Sequence, residues 1–249
     1  MSINSEKYHF ADFTHENYRK LLVIARERYQ FVSFSEFDTK NKDILWRHDV
    51  DISMHAAKKL AFIEKEEGVK ATYFLLLHSE FYNLLEIEIY HLVKEIISFG
   101  HDIGLHFYSR FYNISNEIEL VKFLEVEKTL LETIFSCQIK TFSFHNPETF
   151  ELNCTDFKYA GMINTYAKSF QENVAYCSDS NGFWRHKRLE NFLTENNKSA
   201  QVLTHPEWWT EIEMSPTEKV KRSIVQRAEK IYSDYKLILQ RYGRENIDW

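Results

Sequence analysis

The sequence predicts an α/β protein, with parallel strands at its centre and helices around them. Short apolar segments alternate with longer amphipathic segments along the chain, which is the pattern of repeated strand-then-helix units. A length of 249 residues suits one α/β barrel, because such barrels commonly use about 250 residues. Since 44% of the residues are hydrophobic, the chain can bury one substantial core without disulfide bonds. We expect a single domain over residues 1–249.

Seven short apolar segments predict the strands. They are Ile44–Asp51, Ala71–Leu77, Asp102–Phe107, Lys140–Phe144, Met162–Tyr166, Val174–Ser178 and Ala200–Thr204. Parallel pairing needs a long connection between consecutive strands, and amphipathic patterns predict crossing helices at residues 53–67, 84–99 and 116–135. A further helix is expected at about residues 16–29, ahead of the first strand.

The last predicted helix, residues 216–242, has the clearest boundaries. Ser215 is a helix N-cap, Pro216 occupies the first helical position and Glu218 completes a capping box, while Gly243 follows the last turn. Its apolar residues recur at helical spacing, so we expect this helix to lie on the barrel. These residues are Val220, Ile224, Ala228, Ile231, Tyr235 and Ile238.

Charge and composition exclude several classes of function. Thirty-one Lys and Arg against 37 Asp and Glu give a formal charge of −6, which disfavours nucleic-acid binding. Six glycines, none in a GxGxxG or GxxxxGK motif, provide no loop for the phosphates of a dinucleotide or nucleoside triphosphate. Three separated cysteines favour a reducing compartment, and no segment has the eighteen or so apolar residues of a membrane span. We expect a cytoplasmic protein.

Polar residues at the ends of predicted strands are the candidates for chemistry, because active sites of parallel α/β folds collect there. In the first strand, alternation puts Arg47, Asp49 and Asp51 on one face and His48 on the other. Two neighbouring carboxylates can hold a cation or share protons. The same two aspartates could instead only cap the following helix.

Histidines end three other predicted strands. His106 shares its face with Asp102, whereas His101 points the other way and is expected to be a packing or capping residue. His145 and His205 follow the strands that end near residues 144 and 204. Imidazole and carboxylate are the usual ligands of a hydrolytic zinc ion, so these clusters together predict a metal-centred site.

These motifs resemble those of the NodB-like polysaccharide deacetylases, carbohydrate esterase family four, and in particular a divergent branch associated with surface-polysaccharide synthesis. The resemblance covers about residues 40–210. It lies in the Asp-x-Asp of Asp49 and Asp51, the phrase from Gly100 to His106, and the late His205. It implies a distorted (β/α) barrel with about seven parallel strands, and one divalent metal ion, with zinc the expected identity.

The resemblance also implies roles for individual residues. Asp49 would be the catalytic base, His205 the general acid, and Asp51 and His106 metal ligands. The family expects a second metal-binding histidine four residues after His106, where this chain has Arg110, and a guanidinium has no lone pair to offer.

His145, which aligns with the family's third motif, could supply the missing nitrogen. Alternatively, another carboxylate replaces that nitrogen or the metal is lost. Five residues near the clusters are expected to contact substrate: Tyr108, Arg110, Asn146, Asp179 and Trp208.

The function that follows is a metal-dependent hydrolase that removes an N-acetyl or similar acyl group from a sugar or sugar precursor. Its expected partners are an N-acetylated sugar, a nucleotide sugar or a glycan. One alternative is a metal-free, catalytically silent carbohydrate-binding or assembly protein on the same fold, which Arg110 would explain. Another is a metal-dependent amidase that acts on an amide outside carbohydrates.

Overall fold

A sheet of parallel strands forms the centre of the computed structural model, which describes residues 3–247. The strands of these residues are β1 (Gln30–Phe31), β2 (Asp43–Val50), β3 (Thr72–Leu76), β4 (Asp102–Phe107), β5 (Thr141–Phe144), β6 (Lys158–Tyr159), β7 (Met162–Asn164), β8 (Ala175–Ser180), β9 (Phe183–Trp184) and β10 (Ala200–Thr204). Each of the seven predicted segments overlaps one of them.

Helices connect and cover these strands. They are α1 (Ile3–Tyr8), α2 (His15–Arg26), α3 (Met54–Glu66), α4 (Ile87–Ser98), α5 (Glu117–Phe135), α6 (Thr149–Asn153), α7 (Lys168–Asn173), α8 (Leu189–Thr194) and α9 (Pro216–Arg241), with 3-10 turns at Phe10–Phe13, Ser109–Tyr112 and Pro206–Trp208. Within the described range, no helix is both long enough and apolar enough to cross a membrane.

The sheet has the order β6-β7-β5-β4-β3-β2-β10-β8-β9. From β7 to β8 the neighbouring strands are parallel, so the prediction of about seven parallel strands is confirmed. The end strands β6 and β9 pair antiparallel with β7 and β8. Over residues 3–247, no strand pairing joins β6 or β7 to β8 or β9, so hydrogen bonds do not close the barrel at this seam.

The parallel arrangement brings the carboxyl ends of the strands to one edge. In the register of the central strands, Arg47 of β2 lies beside Leu203 of β10, and His106 of β4 lies beside Ser143 of β5. The polar residues that end these strands therefore meet at one end of the sheet, as the clusters in the sequence predict.

The inner face of the sheet is packed tightly around Phe74. A Cβ atom at Gly104 would lie 2.5 Å from the ring of Phe74, so β4 must have a glycine where this ring crosses it. The ring belongs to an inner apolar cluster with Leu45, Ile163 and Phe170. This packing supports the polar residues one layer above it.

Helix α9 begins at Pro216 with the capping box that the sequence predicts, but it turns its apolar face away from the barrel. Ile224, Ile231 and Tyr235 are about half exposed, at 51%, 53% and 53%. Val220, near the start of the helix, packs against the core, and charged side chains make further contacts with the rest of the protein. Lys219 donates to the carbonyl of Trp208. The expectation that the apolar stripe packs on the barrel therefore holds for Val220 and is wrong from Ile224 onward.

Candidate active site

Three side chains from the carboxyl ends of three strands of the sheet converge on one point. Asp51 follows β2, His106 lies near the end of β4, and His145 follows β5. Asp51 Oδ1 is 3.1 Å from His106 Nε2 and 3.3 Å from His145 Nδ1, and the two ring nitrogens are 3.1 Å apart. In the described part of the chain, this is the group of His, Cys, Asp or Glu side chains whose spacing could hold a metal ion.

The spacing and the chemistry of these atoms fit a small divalent cation. A tetrahedral zinc ion with bonds of about 2.0–2.1 Å holds its ligands roughly 3.3 Å apart, and three protein ligands leave a fourth position open. Asp51 Oδ1 is buried without a hydrogen-bond partner among residues 3–247. A buried carboxylate oxygen of this kind is costly unless positive charge meets it. Burial opposes ionisation, but His106 and His145 hold the pKa of Asp51 well below its usual range.

Asn146 contacts the His145 ring at Nε2, while Nδ1 of the same ring faces Asp51 and His106. Its side-chain nitrogen Nδ2 lies 2.9 Å from His145 Nε2. An asparagine amide can present either its oxygen or its nitrogen at such a position. When the amide is turned so that its oxygen faces the ring, His145 carries its proton on Nε2, and the lone pair of Nδ1 faces Asp51 and His106. Asn146 therefore orients a candidate ligand.

The buried carboxylate of Asp49 is held by Arg47, two residues earlier on β2. Arg47 Nη2 lies 2.7 Å from Asp49 Oδ2, and Nε lies 3.3 Å from Oδ1, so the pair is bidentate. The Ser143 hydroxyl lies 3.3 Å from the same Oδ2. Burial would raise the pKa of Asp49, but Arg47 and then His106 outweigh it and lower the pKa. Asp49 is therefore a carboxylate at neutral pH.

Sequence reasoning gave Arg47 no role, although strand alternation already placed it on the same face as Asp49. Asp49 Oδ2 is also 3.7 Å from His106 Nε2, so this ion pair borders the candidate metal ligands directly. The arginine thus links the inner packing of the sheet to the site.

His205, which follows β10, faces the site with one nitrogen and is anchored through the other. Its Nε2 lies 3.8 Å from Asp51 Oδ2, while Nδ1 hydrogen bonds to Asp179 Oδ1. Asp179 Oδ2 also accepts the backbone N–H of His205, at 3.0 Å. Burial lowers the pKa of His205, but Asp179 and then Asp51 outweigh it and raise the pKa to about 10. A protonated imidazole is the form that can donate a proton here.

Two expected substrate contacts are corrected by burial. The Asp179 side chain has 0% of its surface exposed, and both of its oxygens are engaged by His205, so it orients that imidazole and does not meet a substrate. Trp208 belongs to the hydrophobic core and is only 6% exposed, so it does not offer a ring face for stacking. The burial of these two side chains cannot be predicted from their positions near strand ends in the sequence.

Tyr108 and Arg110 remain accessible at the rim. The ring of Tyr108 is perpendicular to the ring of His145, with 5.0 Å between the centroids. The Arg110 side chain is 75% exposed, and its Nη1 is 3.8 Å from a carboxylate oxygen of Glu148. Both side chains can therefore meet a molecule that approaches the three converging residues.

Glu207 is a second residue that sequence reasoning missed. It lies two residues after His205 and is 5% exposed. Burial and then the nearby Asp51 carboxylate raise its pKa well above the ordinary value. The raised pKa favours the neutral form of Glu207, which keeps a further negative charge away from Asp51.

The histidines assigned to the opposite strand face serve the structure. His48 Nε2 lies 2.6 Å from Glu64 Oε1, and the Tyr73 hydroxyl donates to Glu64 Oε2 at 2.7 Å. His101 hydrogen bonds to the Ala61 carbonyl through Nε2, at 2.8 Å. This buried network fastens α3 to the outer side of the sheet, away from Asp49 and Asp51.

No protein-family model matches the chain, and no curated protein matches it. Among solved structures, it is similar to a family 4 carbohydrate esterase from Bacillus anthracis, with 17% identity, 86% of each chain covered and a TM-score of 0.42. It is also similar to a peptidoglycan deacetylase from Bacillus subtilis, with 14% identity, 83% of this chain and 100% of that chain covered and a TM-score of 0.45.

A third similar structure is a family 4 pseudoenzyme from Bacillus anthracis, with 17% identity, 78% of this chain and 63% of that chain covered and a TM-score of 0.43. The chain thus resembles family 4 carbohydrate esterases both in its motifs and among these solved structures.

Proposed function

We propose that this chain is a metal-dependent hydrolase that removes an N-acetyl or similar acyl group from a sugar or sugar precursor used in surface-polysaccharide synthesis. The observation that carries the proposal is the convergence of Asp51, His106 and His145 beside an ionised Asp49 and a protonated His205. This combination offers cation ligands, a proton acceptor and a proton donor within one small volume.

Asp51, His106 and His145 would hold the ion. When bound, a divalent cation polarises the acyl carbonyl and makes water a better nucleophile at neutral pH. Asp49 is the acceptor for the proton that water loses, because it borders His106 and is kept ionised by Arg47. The bidentate contact also fixes the direction in which the Asp49 oxygens point.

His205 completes the reaction at the leaving amine. An amine leaves poorly unless it is protonated, so the step needs a donor on the side of the site opposite the base. The Asp179 hydrogen bond to Nδ1 leaves the Nε2 proton of His205 directed towards Asp51 and the reacting bond. The products are a carboxylic acid, acetate in the simplest case, and a free amino sugar.

The substrate class rests on the resemblance, and the rim is consistent with it. Tyr108 places an aromatic ring beside His145, and the exposed Arg110 can contact an anionic group such as the phosphate of a nucleotide sugar. A silent, metal-free protein would not need its three candidate ligands within 3.3 Å of one another, so their convergence counts against that alternative.

Metal content and activity measured together test the proposal. We expect the purified protein to bind about one zinc ion, and His106→Ala to lose both the ion and the release of acyl groups from a panel of N-acetyl sugars, nucleotide sugars and simple amides. His55→Ala is the matched control, because His55 is an exposed histidine paired with Glu88. A wild-type protein that binds no divalent ion would overturn the proposal, whereas turnover of simple amides alone would replace the sugar by another substrate.

A further inference from the structure

Beyond Val220, which packs against the core, helix α9 contacts the rest of the protein through a charged face. Arg227 pairs with Glu86, and Lys230 lies 3.1 Å from Glu86 and 2.7 Å from Glu88. Lys219, at an earlier position on the same side of the helix, is buried against the carbonyl of Trp208. An amphipathic helix that only covers its own domain turns its apolar face inwards. This helix does the reverse.

The apolar face left outside follows the spacing of a helix–helix interface. Ile224, Ala228, Ile231, Tyr235, Ile238 and Tyr242 are separated by steps of four and three residues. This alternation is the a/d pattern of helices that pack along their length, and it is kept over about two and a half heptads. Val225 and Tyr232, which are 43% and 57% exposed, widen the same face.

The size of this face matches an interface between proteins. Seven large apolar side chains on it are between 43% and 64% exposed: Ile224, Val225, Ile231, Tyr232, Tyr235, Ile238 and Tyr242. Half-exposed side chains of this size present roughly 100 Å² each, so the face offers roughly 700 Å² of apolar surface. A standard interface buries about 800 Å² per partner, and a monomer seldom leaves a patch of this size uncovered.

We propose that α9 pairs with α9 of a second copy of this chain, and that the two apolar faces form a two-fold dimer interface. An interface that repeats one surface on both partners must be complementary to itself. A regular a/d stripe meets this requirement, because the side chains of one helix fit between those of an identical helix. The salt bridges from Arg227 and Lys230 to the α4 segment then hold each helix in place for pairing.

Sedimentation velocity and light scattering on the full chain test the proposal. The monomer mass is 29.9 kDa, so the expected dimer has a mass of about 60 kDa. The variant Ile231→Glu with Ile238→Glu puts two charges on the apolar face, and we expect it to be a monomer at 100 times the concentration at which the wild type is half dissociated.

Ser233→Glu with Gln240→Glu is the matched control. It adds the same two charges two residues further along, on an exposed face of α9 away from the stripe, and we expect it to remain a dimer. Circular dichroism shows whether α9 stays helical in both variants. A wild type that is monomeric at about 100 μM, a dimer that survives Ile231→Glu with Ile238→Glu, or equal dissociation of both variants would each overturn the proposal.

Discussion

At the scale of single residues, the role of a histidine in this protein depends on the strand face to which it belongs. His106 on the inner face meets Asp51, whereas His48 on the outer face meets the buried Glu64. Both are fully enclosed imidazoles beside a carboxylate, so burial and charge alone would not separate them. What distinguishes His106 is a second imidazole beside it, because His145 Nδ1 lies 3.1 Å from His106 Nε2. Among the described contacts, His48 has no other histidine nitrogen at a comparable distance.

Asn146 gives a test of how His145 is oriented. Asn146 has a positive φ of 46°, so Asn146→Gly removes the amide without straining the backbone. We expect zinc affinity, measured by competition with a chromophoric chelator, to fall by about 10- to 100-fold, the usual cost of losing an outer partner of a ligand. Asn113→Gly is the control, because Asn113 has a φ of 53° but is not among the partners of His145. Equal affinities of the two variants would show that the amide does not orient the ring.

The pair of Arg47 and Asp49 gives a second test. Arg47→Met leaves the Asp49 carboxylate buried without its partner, so we expect a loss of about 3–5 kcal/mol in the free energy of unfolding. Arg47→Met combined with Asp49→Asn removes both charges, and we expect it to recover at least half of that loss. Urea denaturation of these two variants, of Asp49→Asn alone and of the wild type gives the four unfolding free energies of a double-mutant cycle. If the effects of the single changes simply add, the two side chains are not coupled.

At the scale of secondary structure, the sequence predicts the strands better than it predicts what covers the helices. Apolar runs place all seven parallel strands within a few residues, and the capping box gives the start of α9 at Pro216. The spacing of apolar residues on α9 shows that one face is apolar, but not whether the barrel or another chain covers it. The orientation of α9 depends on Glu86, which lies far away in the chain and forms salt bridges with Arg227 and Lys230.

The same limit applies to the candidate site. The convergence of Asp51, His106 and His145 follows from parallel strands whose carboxyl ends share one edge, so it was predictable. The bidentate contact of Arg47 with Asp49 could not be predicted, because it depends on how the side chains of the inner layer pack between the strands. Burial of Asp179 and Trp208 depends likewise on neighbours that are distant in sequence. The catalytic roles assigned to Asp49 and His205 stay predictions.

Close packing between β3 and β4 gives a prediction for one glycine. The Cβ of Gly104→Ala would lie 2.5 Å from the Phe74 ring and 3.1 Å from Thr141 Oγ1, so either the ring or the strand must move. We expect a loss of about 1–3 kcal/mol in the free energy of unfolding, as in other overpacked cores. Phe74→Leu in the same chain should restore part of it. An alanine variant as stable as the wild type would mean that the inner cluster is looser than its distances indicate.

At the scale of the whole molecule, stability and chemistry occupy different parts of the barrel. The outer core and the Glu64 network fasten helices to the sheet, while the inner face carries the ion pair and the converging ligands. After β10, the chain continues from His205 in the site to the buried Trp208. The Trp208 carbonyl accepts a hydrogen bond from Lys219 of α9. The anchor of α9 and the proton donor are thus connected by one short segment.

The buried ammonium of Lys219 makes the stability of the whole fold depend on pH. Burial lowers its pKa from 10.5 to about 8, although Asp179 and Glu213 oppose the shift. Below pH 8 the lysine is charged in the folded and unfolded states alike. Between pH 8 and 10.5 only the unfolded chain keeps the proton, so the contribution of Lys219 to stability rises with pH, by up to about 3 kcal/mol.

Lys219→Met removes this dependence. We therefore expect the difference in unfolding free energy, wild type minus variant, to become more positive between pH 7.5 and pH 10, measured by urea denaturation at one protein concentration. Buried tyrosines such as Tyr18 and Tyr73, whose pKa values burial raises, lower stability at high pH in both proteins, so their effect cancels in the difference. A difference that stays constant across this range would mean that the ammonium reaches water in the folded protein, and that the first turns of α9 are held less tightly than the contact with Trp208 implies.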